Sequence, residues 1–242
     1  TTEMSDKVIS VIMDTMKNNY GNPSSTHSFG RNSKSILELS RKFIADKLKA
    51  KANEIIFTSG GTESNNMIIK SVVESQNIER IITTKIEHKA VLNSIESISK
   101  TKKILVEYLD VDNCGNPNIK QFKNSLEKSN QLTLVSLMHI NNEIGTIIDL
   151  NEYGKICRSN NALFHSDTVQ TIGHYDLDLS NTTIDFITCS AHKFHGPKGV
   201  GFAYINNETI INPFIEGGSQ ERGYRGGTES IHNILGLKTA FE

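Results

Sequence analysis

Two short apolar runs flank a glycine-rich segment in the stretch IDFITCSAHKFHGPKGVGFAYI, residues 184–205. The runs Ile184–Ser190 and Val200–Ile205 have the length of buried β-strands and are rich in β-branched and aromatic residues. The segment between them shows no helical periodicity, so we expect a loop there. A direct loop between adjacent strands favours an antiparallel pair, so one of the two strands is expected to run against the rest of the sheet.

Outside this stretch, short apolar runs alternate with segments of helical periodicity. The pattern predicts further strands over 55–58, 81–83, 103–109, 132–139 and 162–166. It predicts helices over 8–16, 36–48, 63–74, 89–99, 119–128, 150–160 and 237–242. Such alternation indicates βαβ units. The predicted fold class is therefore α/β, with a mostly parallel seven-stranded sheet flanked by helices.

Composition excludes several classes of function. The 242 residues carry a net charge of −1, which gives no general attraction to nucleic acid or to an anionic membrane. No apolar run reaches the roughly 18 residues that a membrane-spanning helix needs. The three cysteines have neither disulfide-framework nor zinc-ribbon spacing, which favours a reducing compartment.

Polar clusters follow several predicted strands, where ligands collect in open α/β sheets. Gly61 and Thr62 lie between a strand and a helix, where free N–H groups can bind a phosphate; alternatively, Thr62 only caps the helix. Asp167 ends another strand, where it can pair with a cationic ring nitrogen or cap the next turn. Asn141 and Asn142 follow a third strand and either orient a ligand or form a turn.

Lys193 follows the strand that ends at Ser190. A lysine beside a ligand can act as a nucleophile and form a Schiff base, although most loop lysines are only surface residues. His192 and His195 have H-x-x-H spacing, but no further ligand stands beside them, so we expect no metal site. His88 precedes a helix and either bonds to its first turn or stacks on a planar cofactor.

One cofactor accounts for these clusters together. Pyridoxal 5′-phosphate (PLP) requires a lysine for its aldehyde, an acid for its pyridine nitrogen and donors for its phosphate. Each of these groups follows a predicted strand in this sequence.

The chain resembles the PLP-dependent cysteine desulfurases of the class V aminotransferases. The resemblance rests on GNPSSTHSFGR (21–31), FTSGGTESNN (57–66), EHKAV (87–91), MHINNEIGTI (138–147), HSDTVQTIG (165–173), SAHKFHGPKGVG (190–201) and ERGYRGGT (221–228). It implies the large domain of PLP-dependent transferases of fold type I.

The resemblance also implies roles for individual residues. Lys193 is expected to bind PLP covalently and to carry the substrate's α-proton, and His88 to stack on the ring and assist that transfer. The expected cofactor contacts are Asp167 at the pyridine nitrogen, Gln170 at the ring oxygen, Asn142 beside the ring, Gly61, Thr62, Ser190 and His192 at the phosphate, and Thr228 at the phosphate of a partner subunit.

The reaction implied is conversion of L-cysteine to L-alanine, with sulfur passed to an enzyme cysteine as a persulfide. Expected partners are a second copy of the chain and an iron–sulfur scaffold or another sulfur acceptor, including tRNA thiolation systems, without direct nucleic-acid or membrane binding. Alternatives are a selenocysteine lyase or related C–S lyase, and a non-catalytic dimerising scaffold. The expected location is the cytoplasm or, alternatively, the mitochondrial matrix or a related organelle.

Cys114, Cys157 and Cys189 do not match the family's persulfide cysteine. We expect Cys157 and Cys189 to be packing residues and Cys114 to lie exposed in a turn. Residues 1–20 are predicted to be a helical segment of a small domain or linker, and 21–242 the PLP-binding large domain. A C-terminal small domain is expected to be absent, so the chain is expected to bind PLP without completing sulfur transfer.

Overall fold

The computed structural model describes all residues from Thr1 to Glu242, built around one central sheet. Its strands are β1 (Ile55–Thr58), β2 (Arg80–Thr84), β3 (Leu105–Leu109), β4 (Thr133–Ser136), β5 (Leu163–Asp167), β6 (Phe186–Ser190) and β7 (Gly201–Ile205). Its helices are α1 (Asp6–Asn18), α2 (Ser28–Leu48), α3 (Gly61–Ser75), α4 (Lys89–Lys102), α5 (Ile119–Glu127), α6 (Leu150–Ser159) and α7 (Ile231–Phe241). Every predicted strand and helix is present. Helix α2 begins eight residues and α7 six residues before the predicted start, and the other bounds differ by at most three residues.

The seven strands are arranged in the order β1-β7-β6-β5-β4-β2-β3. β7 pairs antiparallel with both β1 and β6, and all other neighbours pair parallel. This confirms the predicted α/β class and the expected antiparallel strand. The parallel strands therefore end at one edge of the sheet, where a ligand site is expected.

Helices cover both faces of the sheet, so its strands are buried on both sides, except the edge strand β3, which is only partly buried. Apolar residues of α2, α5, α6 and α7 pack on one face. Those of α3 and α4 pack on the other face. The second core holds α3 against β7, β6, β1 and β5, and α4 packs beside α3 and against β3.

Helix α1 lies against α7, at the other end of the chain. The division into residues 1–20 and 21–242 stays a prediction. None of the helices combines the length and the apolar character that a membrane span requires.

Candidate active site

A cavity opens at the carboxyl edge of the sheet. It brings together nine of the ten predicted cofactor residues, which come from segments far apart in the sequence. These are Gly61, Thr62, His88, Asn142, Asp167, Gln170, Ser190, His192 and Lys193. The roles expected for them stay predictions, but their convergence on one cavity is a finding.

The turn from β1 into α3 forms one wall of this cavity. Gly60 precedes the helix with φ +143°, a conformation that favours glycine, and no side chain caps the helix. The alternative in which Thr62 is the cap is therefore wrong. The N–H groups of Gly61, Thr62 and Glu63 have no acceptor within the protein, so three donors at a positive helix end face outward. This arrangement suits an anion.

Asp167 lies at the end of β5 and is almost completely buried. Its Oδ1 accepts the N–H of Val169 at 3.0 Å, and its Oδ2 accepts the side-chain N–H of Asn65 at 2.8 Å. Asp167 thus shapes a turn, as one sequence interpretation predicts, and also lines the cavity, whereas its pairing with a ring nitrogen stays a prediction. Two donors fix the plane of its carboxylate.

Lys193 ends a short 3₁₀ turn, Ala191–Lys193, that directly follows β6. Its backbone carbonyl accepts an N–H from the His174 ring at 2.9 Å, which anchors the turn. Its side chain lines the cavity with those of Ser190 and His192. Burial and the adjacent Lys193 charge lower the pKa of His192, so its ring is neutral near pH 7.

His88 caps α4 and also lines the cavity. Its Nδ1 accepts the N–H of Ala90 at 3.1 Å, so the proton of the neutral ring lies on Nε2. The two adjacent asparagines differ in their surroundings. Asn141 forms a turn, since its Oδ1 accepts the N–H groups of Glu143 and Ile144, whereas Asn142 lines the cavity.

Glu87, next to His88, is a buried acid that ties two strand ends together. Its Oε1 accepts the Thr84 hydroxyl at 3.0 Å and the Met138 N–H at 3.1 Å, while its Oε2 has no partner. Burial, with a smaller contribution from the Asp167 charge, raises the pKa of Glu87 to about 8. The side chain is therefore mostly protonated at pH 7.

Thr228 lies outside this cavity, in a neighbouring one that Ser59 and Arg225 also line. Its loop is tied to α3 because Arg225 Nε donates to Glu63 Oε1 at 2.9 Å. The contact predicted between Thr228 and a partner subunit stays a prediction.

None of the cavity-lining residues is a cysteine. Cys157 and Cys189 are buried, as expected, and burial raises the pKa of both thiols well above the usual value. Cys114 is exposed in a turn, also as expected. No group of three or more His, Cys, Asp or Glu side chains is arranged to hold a metal ion.

The sequence interpretation missed three residues that line the cavity: Asn65, Met138 and Val169. Asn65 is four residues beyond Gly61, a spacing that places both on one face of α3 and could have revealed it. Met138 and Val169 stand near polar residues that were singled out, but an apolar side chain gives no comparable signal.

The residues present fit PLP. Free N–H groups at the start of α3 suit a phosphate, a fixed carboxylate suits a pyridine N–H, and a lysine is available for the aldehyde. A Cβ at Gly61 would lie 2.6 Å from Val169 Cγ2, so the glycine keeps the cavity wall open there.

Comparisons with known proteins place the chain in a family. A family model described as aminotransferase class-V matches residues 1–242. The cysteine desulfurase IscS of Dictyoglomus turgidum is 44% identical over 244 residues, and a mitosomal cysteine desulfurase of Trachipleistophora hominis is 42% identical over 247 residues. These alignments cover 100% and 99% of this chain, and 61% and 55% of the relatives.

Solved structures show the same likeness. A NifS-like protein superposes with a TM-score of 0.95 at 40% identity, over 100% of this chain and 66% of that one. A structure described as SspA in complex with cysteine has a TM-score of 0.93 at 32% identity, over 100% and 70% of the two chains. The likeness confirms the expected fold type I. The chain spans about three fifths of the length of the curated relatives it matches.

Proposed function

This chain belongs to the aminotransferase class-V family, and we propose that it is the cofactor-binding part of a PLP-dependent cysteine desulfurase. The proposed reaction takes sulfur from L-cysteine, releases L-alanine and transfers the sulfur to an enzyme cysteine. The observation that carries the proposal is that Lys193, Asp167 and the turn at Gly61, whose free N–H groups suit a phosphate, all line one cavity. The names of the relatives support cysteine as the substrate.

When bound, PLP supplies an electron sink that makes the α-hydrogen of an amino acid acidic. Lys193 would hold the cofactor covalently, and its amine would move the α-proton. Asp167 would accept the pyridine N–H, and the first turn of α3 would bind the phosphate with Ser190 and His192. His88 would present its flat ring and its Nε2–H to the cavity, and Gln170 and Asn142 would orient the ring from the side.

The sulfur-accepting thiol is proposed to come from outside the cavity-lining residues. Attack on sulfur requires an accessible thiolate, and burial keeps Cys157 and Cys189 as thiols. Cys114 is exposed, but it is not among the residues that line the cavity. We therefore expect this chain to load PLP and to form no persulfide with cysteine by itself.

We further propose that two copies associate, so that Thr228 of each copy contributes to the phosphate site of the other. An iron–sulfur scaffold or another sulfur-accepting protein is the proposed downstream partner. The cytoplasm, or an organelle such as the mitochondrial matrix, is the proposed location; the bacterial and mitosomal relatives support both settings.

The test is to incubate the purified chain with PLP, reduce it with borohydride and map the modified peptide. We expect a yellow protein whose colour survives dialysis and a label fixed at Lys193. Lys193→Ala is expected to abolish the label. Lys198→Ala is the matched control, because Lys198 is an exposed lysine in the same loop, and it is expected to label normally.

A colourless wild-type chain, or a label at another lysine, would contradict the proposed cofactor role. A persulfide on the isolated chain after addition of cysteine would contradict the proposed external thiol. Cyanolysis of the desalted protein measures that persulfide.

A further inference from the structure

Asn65 contacts Asp167 directly from the second turn of α3. Its side-chain nitrogen lies 2.8 Å from Asp167 Oδ2, and the residue is 1% exposed. A carboxylate oxygen only accepts hydrogen bonds, so the amide must turn its NH₂ group toward Asp167. The contact is therefore a charge-assisted hydrogen bond inside the protein.

Asparagine is a destabilising residue at this position. It is a poor helix former, and its Oδ1 is buried here without a hydrogen-bond partner. The following buried residues on α3, Met67, Ile68 and Ile69, are apolar, as expected for a helix that packs on a sheet. The cost of burying Oδ1 without a partner is explained if the side-chain nitrogen of the same amide has a specific role.

Asp167 has two donors inside the protein. One is the backbone N–H of Val169 at Oδ1, which every non-proline residue would supply. The other is Asn65, the only side chain that bonds to this carboxylate. Asn65 is thus the position at which a change of side chain alters the orientation of Asp167 while leaving Asp167 itself in place.

We propose that Asn65 is a positioning residue that holds the Asp167 carboxylate in the plane needed to pair with the pyridine N–H of PLP. The inference rests on the proposed function, because that pairing requires PLP in the cavity. Asn65 also lines the cavity, so its loss would let water reach the side of Asp167 that it now covers.

Asn65→Asp tests this role because it preserves shape and exchanges a permanent donor for a titratable one. Two carboxyl groups this close share one proton. While that proton is held, the new acid donates to Asp167 as the amide does; once it is lost, the two groups repel each other. The other titratable groups around the site are Glu87, His88, His192 and Lys193, with His165 two residues before Asp167 on β5 and Cys189 on the adjacent strand β6.

The experiment measures the dissociation constant of PLP from pH 6 to pH 8.5 by absorbance titration of the wild type, Asn65→Ala, Asn65→Asp and Asn66→Asp. For Asn65→Ala we expect weaker binding by about tenfold to a hundredfold at every pH, the range of one hydrogen bond to a charged group. For Asn65→Asp we expect binding near that of the wild type at pH 6 and at least about tenfold weaker at pH 8.5.

Asn66→Asp is the matched control. It makes the same chemical change on the next residue, whose side chain donates to the Thr62 carbonyl of its own helix. It is expected to follow the wild type at every pH. Thermal unfolding of each variant without PLP separates loss of fold from loss of binding.

Wild-type affinity across the pH range in both Asn65 variants would overturn the proposal. So would a loss of affinity in Asn65→Asp that does not depend on pH, because that is the signature of a purely structural residue. A wild-type chain that takes up no PLP would instead refute the proposed function and this role with it. If the wild type takes up PLP and the two Asn65 variants bind it equally well, only the role of Asn65 is refuted.

Discussion

Replacing Glu221 by Gln removes one charge from a buried ion pair at the base of the loop that carries Thr228. The Glu221 side chain is 1% exposed and accepts from Arg41 Nη1 and Nη2 at 2.7 and 2.9 Å. It also accepts the backbone N–H of Phe57 at 2.8 Å, which joins the loop to β1. Arg41 is equally buried, and its remaining interior acceptor is the Ile55 carbonyl at 2.7 Å.

Glutamine keeps the volume of Glu221 but has only one acceptor oxygen, and its NH₂ group faces the N–H groups of Arg41. The guanidinium is then left buried with the single glutamine oxygen, the Ile55 carbonyl and Glu38, which is 3.3 Å away and 45% exposed. Removal of one partner from a buried ion pair costs about 3–5 kcal/mol. Because these acceptors remain, we expect a cost of about 3 kcal/mol, which corresponds to a fall of about 6–12 °C in the unfolding midpoint of a chain of this size.

Urea and thermal unfolding of the wild type, Glu221→Gln and Glu38→Gln measure this effect. Glu38→Gln removes only the half-exposed partner of the same arginine, so its expected cost is below about 1 kcal/mol. A loss below about 1 kcal/mol in Glu221→Gln, or equal losses in both variants, would refute the reasoning.

Three further changes have defined outcomes. Gly61→Ala puts a Cβ 2.6 Å from Val169 Cγ2, so the affinity for PLP, measured by absorbance titration, should fall at least about tenfold. An unchanged affinity would show that the cavity has room for a side chain at this position. Glu87 keeps its proton in the folded chain up to about pH 8, whereas the unfolded chain loses it near pH 4.5. The free energy of unfolding of the wild type should therefore fall by up to about 5 kcal/mol relative to Glu87→Gln between these pH values and change little above them. A difference in urea midpoints that does not depend on pH would contradict this. Glu63→Gln removes the negative charge that pairs with Arg225, so limited proteolysis of the loop 217–227 should become about fivefold faster. An unchanged rate would show that the ion pair does not hold this loop.

The order of strands and helices was accessible from the sequence because burial on both faces leaves short continuous apolar runs. Nine of the ten expected cofactor residues meet in one cavity because each ends or follows a strand, and parallel strands end at one edge. The antiparallel β7 was also predictable, since its connection to β6 is too short and irregular for a crossover helix.

Contacts between distant segments could not be predicted in the same way. Arg41 and Glu221 are 180 positions apart, and neither belongs to a periodic pattern that marks it as half of a pair. Asn65 was visible as part of a motif, but its task depends on α3 lying above β5, which only the packed structure fixes.

The stretch 184–205 contributes more to the site than its lysine, because its antiparallel return brings two strand ends together. Strand β7 lies between β1 and β6, and Gly201 pairs with both Thr58 and Ser190. A Cβ on Gly201 would lie 2.1 Å from the Cys189 carbonyl oxygen and 2.8 Å from the Gly60 Cα, so only a glycine permits this approach. The absence of one side chain thus lets the end of β6, with Lys193 beyond it, stand close to the anion-binding turn of α3.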